Sequence, residues 1–221
     1  MKKLLLASVC AATMALSMST GVHAADLDEP GFNWTGFYAG AHLGYGWGDA
    51  RFTTGTGARQ TYNIDGILGG IQAGYNFQMD SIVFGIEGDI AGTGIDGGTS
   101  WAAGTRNASL DINWLATVAA RAGVTMDRTL FYAKGGLALA GTDYRHLSNN
   151  GVRKGDATRT GWLIGAGVEH AFDEAWSAKI EYNYMDFGSK GITFKVTGFP
   201  DVSRSVKQSV SVIKVGVNYR F

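Results

Sequence analysis

Eight segments of this chain alternate apolar residues with polar residues or glycine at a period of two. Successive side chains of a β-strand point to opposite faces, so each segment predicts a strand with one apolar and one polar face. No stretch after residue 30 keeps the 3.6-residue apolar period of an amphipathic helix. The chain is therefore predicted to be all-β. The segments are FYAGAHLGYGW (37–47), ILGGIQAGYNF (67–77), IVFGIEGDI (82–90), LDINWLATVAARAGV (110–124), LFYAKGGLALA (130–140), GWLIGAGVEHAF (161–172), WSAKIEYNYM (176–185) and VSVIKVGVNYRF (210–221).

The composition of the two faces separates a membrane barrel from a soluble one. A soluble eight-stranded barrel or a two-sheet sandwich would turn the apolar face inward and present a densely charged outer face. Here the polar face is mainly Gly, Ala and Asn, and charged residues are only 17% of the chain. Small residues suit a crowded interior, which favours a barrel with its apolar face toward lipid. In the fourth segment this places Leu110, Ile112 and Trp114 together on the lipid face.

The connections between the segments alternate in length. Three are very short, at 79–81, 127–129 and 173–175, and four are long, at 49–65, 94–108, 142–158 and 188–205. Short periplasmic turns and long extracellular loops are typical of transmembrane β-barrels. The prediction is an eight-stranded antiparallel transmembrane β-barrel with four long extracellular loops and both termini on the periplasmic side.

Aromatic residues on the apolar face predict the limits of the lipid-facing band. Trp162 and Phe172 lie ten residues apart on one face. A rise of about 3.3 Å per residue and a tilt near 40° make that separation roughly 25 Å along the barrel axis. This equals the apolar band between the two aromatic girdles of outer-membrane barrels. The predicted girdle residues are Tyr45, Trp47, Trp114, Trp162 and Tyr184 toward the loops, and Phe77, Phe172, Trp176, Tyr219 and Phe221 toward the periplasm.

The N-terminus has the layout of a secretory signal peptide. Lys2 and Lys3 precede an apolar run and small residues that end at Ala24. We expect a signal peptide at 1–24, a periplasmic lead at 25–33 and the barrel domain at 34–221. Removing the signal removes the only cysteine, which excludes disulfides and zinc–thiolate sites. It also leaves 17 basic against 19 acidic residues, which argues against nucleic acid as a partner.

Charges on the polar face predict a site inside the barrel. Counted from the periplasmic turns, six of them fall at similar heights, and an eight-stranded barrel is only wide enough for side chains. Unpaired charges there would be costly, so a hydrogen-bonded network that closes the lumen to ions is expected. The six residues are Glu87, Arg121, Lys134, Glu169, Lys179 and Glu181.

Several of the segments are similar to a known family. WTGFYAGAHLGYGWG (34–48), GGIQAGYNF (69–77), DRTLFYAKGGLA (127–138) and the final VGVNYRF resemble small outer-membrane β-barrels of alphaproteobacteria. These are often called porin-family proteins, belong to the wider OmpA-like group and include surface antigens. The resemblance implies a structural and surface-contact role. The terminal Phe221 also resembles the signal that the barrel-assembly machinery recognises in this family.

Residues of the predicted loops and of the lumen leave other functions and partners to be considered. A small-solute porin is the main alternative, and a haem-binding surface protein with Tyr144 and His146 as iron ligands is a minor one. Asp143, His146 and Ser148 share one loop, which does not build a catalytic triad, so no enzyme is expected. His42 and His170 are too few for a metal site, and no cofactor is expected. Basic residues exceed acidic ones at 142–159 and 188–207, which would suit lipopolysaccharide phosphates or a host or matrix ligand.

Overall fold

The protein forms a closed barrel of eight antiparallel strands. The computed structural model describes residues 32–53, 59–101, 106–148, 151–196 and 199–221. Each strand pairs with the next, and β1 pairs with β8, which confirms the predicted fold. The described residues include no helix long and apolar enough to span a membrane. The strands are β1 (Gly36–Thr53), β2 (Arg59–Met79), β3 (Ile82–Trp101), β4 (Arg106–Met126), β5 (Thr129–Ser148), β6 (Gly151–Ala171), β7 (Trp176–Val196) and β8 (Phe199–Arg220).

Three tight turns join strands at one end. Asp80 and Asp127 each begin a two-residue turn with a φ of 52°, a left-handed conformation that Asp tolerates better than most residues. In the third turn, the Asp173 carboxylate accepts the main-chain N–H groups of Trp176 at 2.7 Å and Ala175 at 2.8 Å. These hydrogen bonds, that from Trp176 first, lower the pKa of the exposed Asp173 side chain. The three turns agree with the predicted short connections.

The segments predicted as long loops at the other end are mostly strand. The segment 49–65, for example, contains the end of β1 to Thr53 and the start of β2 from Arg59. The strands are 18 to 22 residues long, whereas about 9–11 residues suffice to cross an outer membrane. The strands therefore continue well beyond the lipid band.

The two faces of the strands exchange polarity where this extension begins. In the lipid band the outward side chains are apolar, as in Ile67 and Ile71 of β2. Higher on the same strand, Ile64 faces inward and is buried, while its neighbours Asn63 and Asp65 are exposed. The extension thus has the apolar interior and polar exterior of a soluble barrel, because water replaces lipid around it.

The predicted lipid-facing orientation of Ile112 was wrong because β4 is locally irregular. A β-bulge interrupts the pairing of β4 with β5 between Ile112 and Trp114. Asn113 is exposed and Trp114 half-buried, whereas Ile112 and Leu115 are buried. The extra residue reverses the alternation, so Ile112 lies in the lumen rather than beside Trp114 on the lipid face.

Candidate functional site

The site predicted from the sequence is the lumen, and the structure brings its six charged residues into one buried cluster. Glu87 of β3 lies at its centre and is 2% exposed. Its carboxylate contacts Lys134 Nζ at 2.9 Å and Lys179 Nζ at 2.9 Å, and Arg121 Nη1 lies at 3.6 Å. The Tyr38 hydroxyl donates a further hydrogen bond at 2.9 Å. One carboxylate therefore joins cations from three other strands.

Glu181 of β7 forms the second centre. Its carboxylate lies 2.7 Å from Lys134 Nζ and 3.2 Å from Lys214 Nζ. It also accepts hydrogen bonds from the Tyr132 hydroxyl and from Asn183 Nδ2, both at 2.7 Å. Lys134 thus bridges the two central carboxylates, so that neither charge is left unpaired in the interior.

Glu169 and Arg121 extend the cluster toward the periplasm. Arg121 Nη1 lies 3.2 Å from Glu169, and its Nε donates to Asn76 Oδ1 at 2.8 Å. The other oxygen of Glu169 accepts hydrogen bonds from Ser177 Oγ and Asn218 Nδ2, both at 2.7 Å. The guanidinium is therefore fixed by a carboxylate and an amide at once.

Three further residues belong to the cluster although sequence reasoning did not include them. Lys214 Nζ lies 2.9 Å from Asp89, whose carboxylate is 2.6 Å from His42 Nε2. Height was counted from the three short turns, none of which adjoins β8 with Lys214 or β1 with His42, and Asp89 lies two residues above Glu87 on β3. The alternation alone already placed all three on the luminal face. With them, four carboxylates face four Lys or Arg side chains and one histidine, and every strand contributes to the cluster or its hydrogen bonds.

Glycines on the luminal face make room for two tyrosines of the cluster. A Cβ atom on Gly74 would collide with the Tyr38 hydroxyl, and one on Gly167 would lie 2.6 Å from the Tyr132 hydroxyl. The glycine-rich polar face of the sequence therefore has a packing function, since these positions have no space for a side chain.

An apolar layer closes the periplasmic side of the charged cluster. Phe32 and Trp34 precede β1 and pack inside the barrel mouth, where their rings meet at 5.0 Å. The Trp34 indole N–H donates to Thr125 Oγ1 at 3.0 Å, and the Arg220 guanidinium lies 4.2 Å from the Phe32 ring centre. The sequence had assigned 25–33 to a lead, of which 25–31 lie outside the described residues. The layer consists of Phe32, Trp34, Val83, Leu130, Tyr132 and Ala171.

A second apolar layer lies above the cluster, on the side of the strand extensions. Its members are inward-facing residues of the upper strands, and Ile95 and Val210 are each 0% exposed. The lumen is thus filled in three successive layers. The upper layer consists of Ile64, Leu68, Ala91, Ile95, Ile112, Leu115, Ala119, Ala138, Ala140, Leu163, Met185, Phe187, Val210 and Val212.

The ten predicted girdle residues all belong to outward faces. Toward the extensions, Trp162 packs on Tyr184 with ring centres 5.7 Å apart. Tyr45 and Trp47 stack at 6.4 Å, while the Trp114 ring covers Gly141 of the next strand. Toward the periplasm, Trp176, Tyr219 and Phe221 form a row with centroid distances of 5.1 and 5.2 Å, and Phe77 and Phe172 are exposed on the same outer surface.

The residues considered for other chemistry do not form a site in the part of the chain that the structure describes. The side chains of Tyr144, His146 and Ser148 lie outside the described residues, and Asp143 accepts a hydrogen bond from Asn113 Nδ2 at 2.7 Å. His170 contacts the Thr129 hydroxyl at 3.0 Å on the outer surface. No group of three or more His, Cys, Asp or Glu residues suited to a metal ion occurs in the described ranges.

A closed barrel with an apolar outer band between two aromatic girdles defines an integral barrel protein of the outer membrane. The chain belongs to the family described as outer membrane protein beta-barrel domain, whose model matches residues 6–221.

The chain is 32% identical over 251 residues to the 31 kDa outer-membrane immunogenic protein of Brucella melitensis, covering 100% of both chains. It is 29% identical over 193 residues to the 22 kDa outer membrane protein of Rhizobium leguminosarum bv. viciae, covering 87% of this chain and 81% of the relative. The crystal structure of Neisserial surface protein A is similar with a TM-score of 0.49 and 17% identity, covering 85% of this chain and 98% of that one. The family match and the two relatives confirm the predicted family and place the protein in the outer membrane.

Proposed function

We propose that the protein is a non-conducting, non-catalytic barrel that strengthens the envelope and displays its strand extensions at the cell surface. The observation that carries this proposal is the three-layer filling of the lumen. An ion would have to pass two apolar layers and displace lysines that contact Glu87 at 2.9 Å. Because each displaced charge would be left buried and unpaired, such passage is unfavourable.

The surface role is supported by the strands that extend beyond the lipid band and by the relatives. The relative from Brucella melitensis is named an immunogenic protein, which fits a chain exposed outside the cell. Basic residues of the strand extensions within 142–159 and 188–207 would contact lipopolysaccharide phosphates, and the same extensions would meet a host or matrix ligand. In this proposal the signal peptide is removed after Ala24, and Phe221 directs the last strand to the barrel-assembly machinery.

Conductance of the refolded protein in planar lipid bilayers tests the proposal. We expect no steady ohmic steps at low voltage. Heat-modifiable gel mobility of the same vesicles is the control, because it shows that folded barrels were present when no current flowed. Reproducible open channels would contradict the structural role and favour a small-solute porin.

A further inference from the structure

A glycine joins β1 to the residues before it. Gly36, the first residue of β1, has a φ of 142°, which lies in the part of backbone space that favours glycine. A Cβ atom there would lie 3.4 Å from the main-chain oxygen of Phe221. The freedom of this glycine allows residues 32–35, here called the clasp, to leave the line of β1. Phe32 and Trp34 of the clasp are buried inside the periplasmic mouth.

Hydrogen bonds connect the clasp to strands that are distant in the sequence. The Trp34 main-chain N–H donates to Gln78 Oε1 of β2 at 2.7 Å, and the Gln78 main-chain N–H donates to Thr35 Oγ1 at 3.1 Å. The Trp34 indole N–H donates to Thr125 Oγ1 of β4 at 3.0 Å. The clasp therefore has a fixed position against two strands besides β1.

Arg220 connects the clasp to the last strand. Its guanidinium lies 4.2 Å from the Phe32 ring centre and 4.9 Å from that of Trp34, and its Nη1 donates to the main-chain oxygen of Asn33. Arg220 is the last residue of β8, and its backbone lies opposite Tyr38 of β1. The position of Arg220 against the clasp therefore depends on the pairing of β8 with β1.

The surroundings of the two clasp rings are complete only in the closed barrel. The layer that buries them includes Val83 of β3, Leu130 of β5 and Ala171 of β6, and Arg220 of β8 covers the rings. The pairing of β1 with β8 joins residues far apart in the chain, and such non-local contacts are slow to form. The clasp can therefore make its full set of contacts only after this pairing exists.

We infer that the clasp docks after β8 has paired with β1 and then holds the closed barrel against unfolding. To separate β1 from β8, the chain must break the contacts of Arg220 and move two buried rings toward water. Interactions that form after the folding transition state slow unfolding and leave the folding rate unchanged. The clasp thus gives the barrel kinetic stability, a property that does not depend on the proposed surface role.

The unfolding and refolding rates of Trp34→Ala test the inference on the full mature protein in lipid vesicles. We expect unfolding in urea to become about a hundredfold faster, because a large buried side chain is lost, while refolding stays within about twofold of the wild-type rate. Far-UV circular dichroism follows both rates, since it does not depend on the fluorescence of the removed tryptophan.

Arg220→Gln tests the link to β8 and keeps both rings of the clasp, so it also decides the question if Trp34→Ala does not refold. We expect about tenfold faster unfolding and unchanged refolding, because the cation–π contacts to Phe32 and Trp34 are lost. Arg128→Gln is the matched control. The Arg128 guanidinium lies 5.8 Å from the Phe32 ring centre, but Arg128 is half-exposed on a turn outside β8. Its unfolding rate should stay within about twofold of the wild type.

Pulsed hydrogen exchange during refolding tests the order of events. The Trp34 amide is bonded to Gln78, and the Phe221 amide to the Phe37 carbonyl. We expect the Trp34 amide to become protected together with the Phe221 amide or after it.

Three results would overturn the inference: slower refolding of Trp34→Ala with an unchanged unfolding rate, protection of the Trp34 amide before the Phe221 amide, or equal unfolding rates for Arg220→Gln and Arg128→Gln. The first two would mean that the clasp forms early and guides folding. The third would mean that the link to β8 contributes nothing. None of these measurements depends on conductance, so failure of this inference and failure of the proposed function are distinguishable.

Discussion

At the scale of single residues, the stability of the barrel depends on which solvent each side chain meets. Glu87 is surrounded by three cations in the lumen, whereas Val168, three strands further along on the outer wall, lines an apolar groove with Phe131 and Ile180. The first position requires a charge because its neighbours are charged. The second excludes one because its neighbour is lipid.

Replacing Glu87 with Gln should strongly destabilise the barrel. The change leaves Lys134, Lys179 and Arg121 with one carboxylate fewer, and breaking a buried ion pair from one side costs about 3–5 kcal/mol. Urea unfolding in lipid vesicles measures the loss. Glu174→Gln is the control, because Glu174 is exposed on a turn with its ion pair to Arg128 at 3.7 Å, and its unfolding midpoint should not move. Equal midpoints for the two variants would show that the cluster contributes no stability.

Replacing Val168 with Arg should lower the free energy of unfolding by about 2–4 kcal/mol, as for a basic residue near the bilayer midplane. The same urea titration in vesicles measures it. Thr160→Arg is the matched control, since Thr160 is exposed on the same strand but lies above Trp162 of the outer girdle. If Thr160→Arg were the more damaging of the two, the assigned position of the lipid band would be wrong.

At the scale of elements, β8 closes the barrel by pairing with β1, and Phe221 directly after β8 extends this contact. The Phe221 main-chain N–H donates to the Phe37 carbonyl at 3.0 Å, and its ring packs on Tyr219 at 5.2 Å. The ring is 80% exposed and so is available to lipid or to a partner in assembly. Phe221 therefore contributes both to the contact between the two ends of the barrel sheet and to the periplasmic aromatic girdle.

Deleting Phe221 should reduce the amount of folded barrel in outer membranes, because the deletion removes a closing hydrogen bond and a girdle ring together. The heat-modifiable form on gels of membrane fractions measures folded protein. Phe221→Trp keeps the carboxyl-terminal aromatic residue and should restore the yield. A deletion variant with normal yield and normal mobility would refute a role in assembly.

At the scale of the whole molecule, the lumen is closed by three successive layers. The periplasmic layer is held by its own contacts, such as Arg220 over the Trp34 ring at 4.9 Å. The charged cluster meets this layer at its lower edge, where Tyr132 belongs to the layer and also donates to Glu181. We therefore expect the loss of one layer to leave the others in place.

The variant Trp34→Ala should lose stability without gaining a pore. Truncation of a buried Trp costs about 3–5 kcal/mol, which urea unfolding in vesicles measures. Bilayer recordings of the same variant should remain free of steady steps because the charged cluster and the upper apolar layer still fill the lumen. Steady channels in Trp34→Ala but not in the wild type would show that the periplasmic layer alone closes the barrel.

The sequence by itself determined the all-β class, the number of strands, the tight turns and the lipid-facing residues other than Ile112 of the bulged β4. These features depend on a period of two and on turn residues such as Asp80 and Asp127, which are local properties of the chain. The same alternation put the luminal charges on one face, and their heights followed from counting along strands that start at a turn.

Only the tertiary structure decided the bulge beside Asn113, the partners of Lys214 and the closure of the mouth by Phe32 and Trp34. It also decided that the strands continue into segments predicted as loops, and that the ladder between β6 and β7 ends at Trp162 opposite Asp186. The physical reason is that these features depend on pairing between strands distant in sequence. A bulge, a register shift or a change from lipid to water reverses the meaning of an alternating pattern without changing the pattern itself.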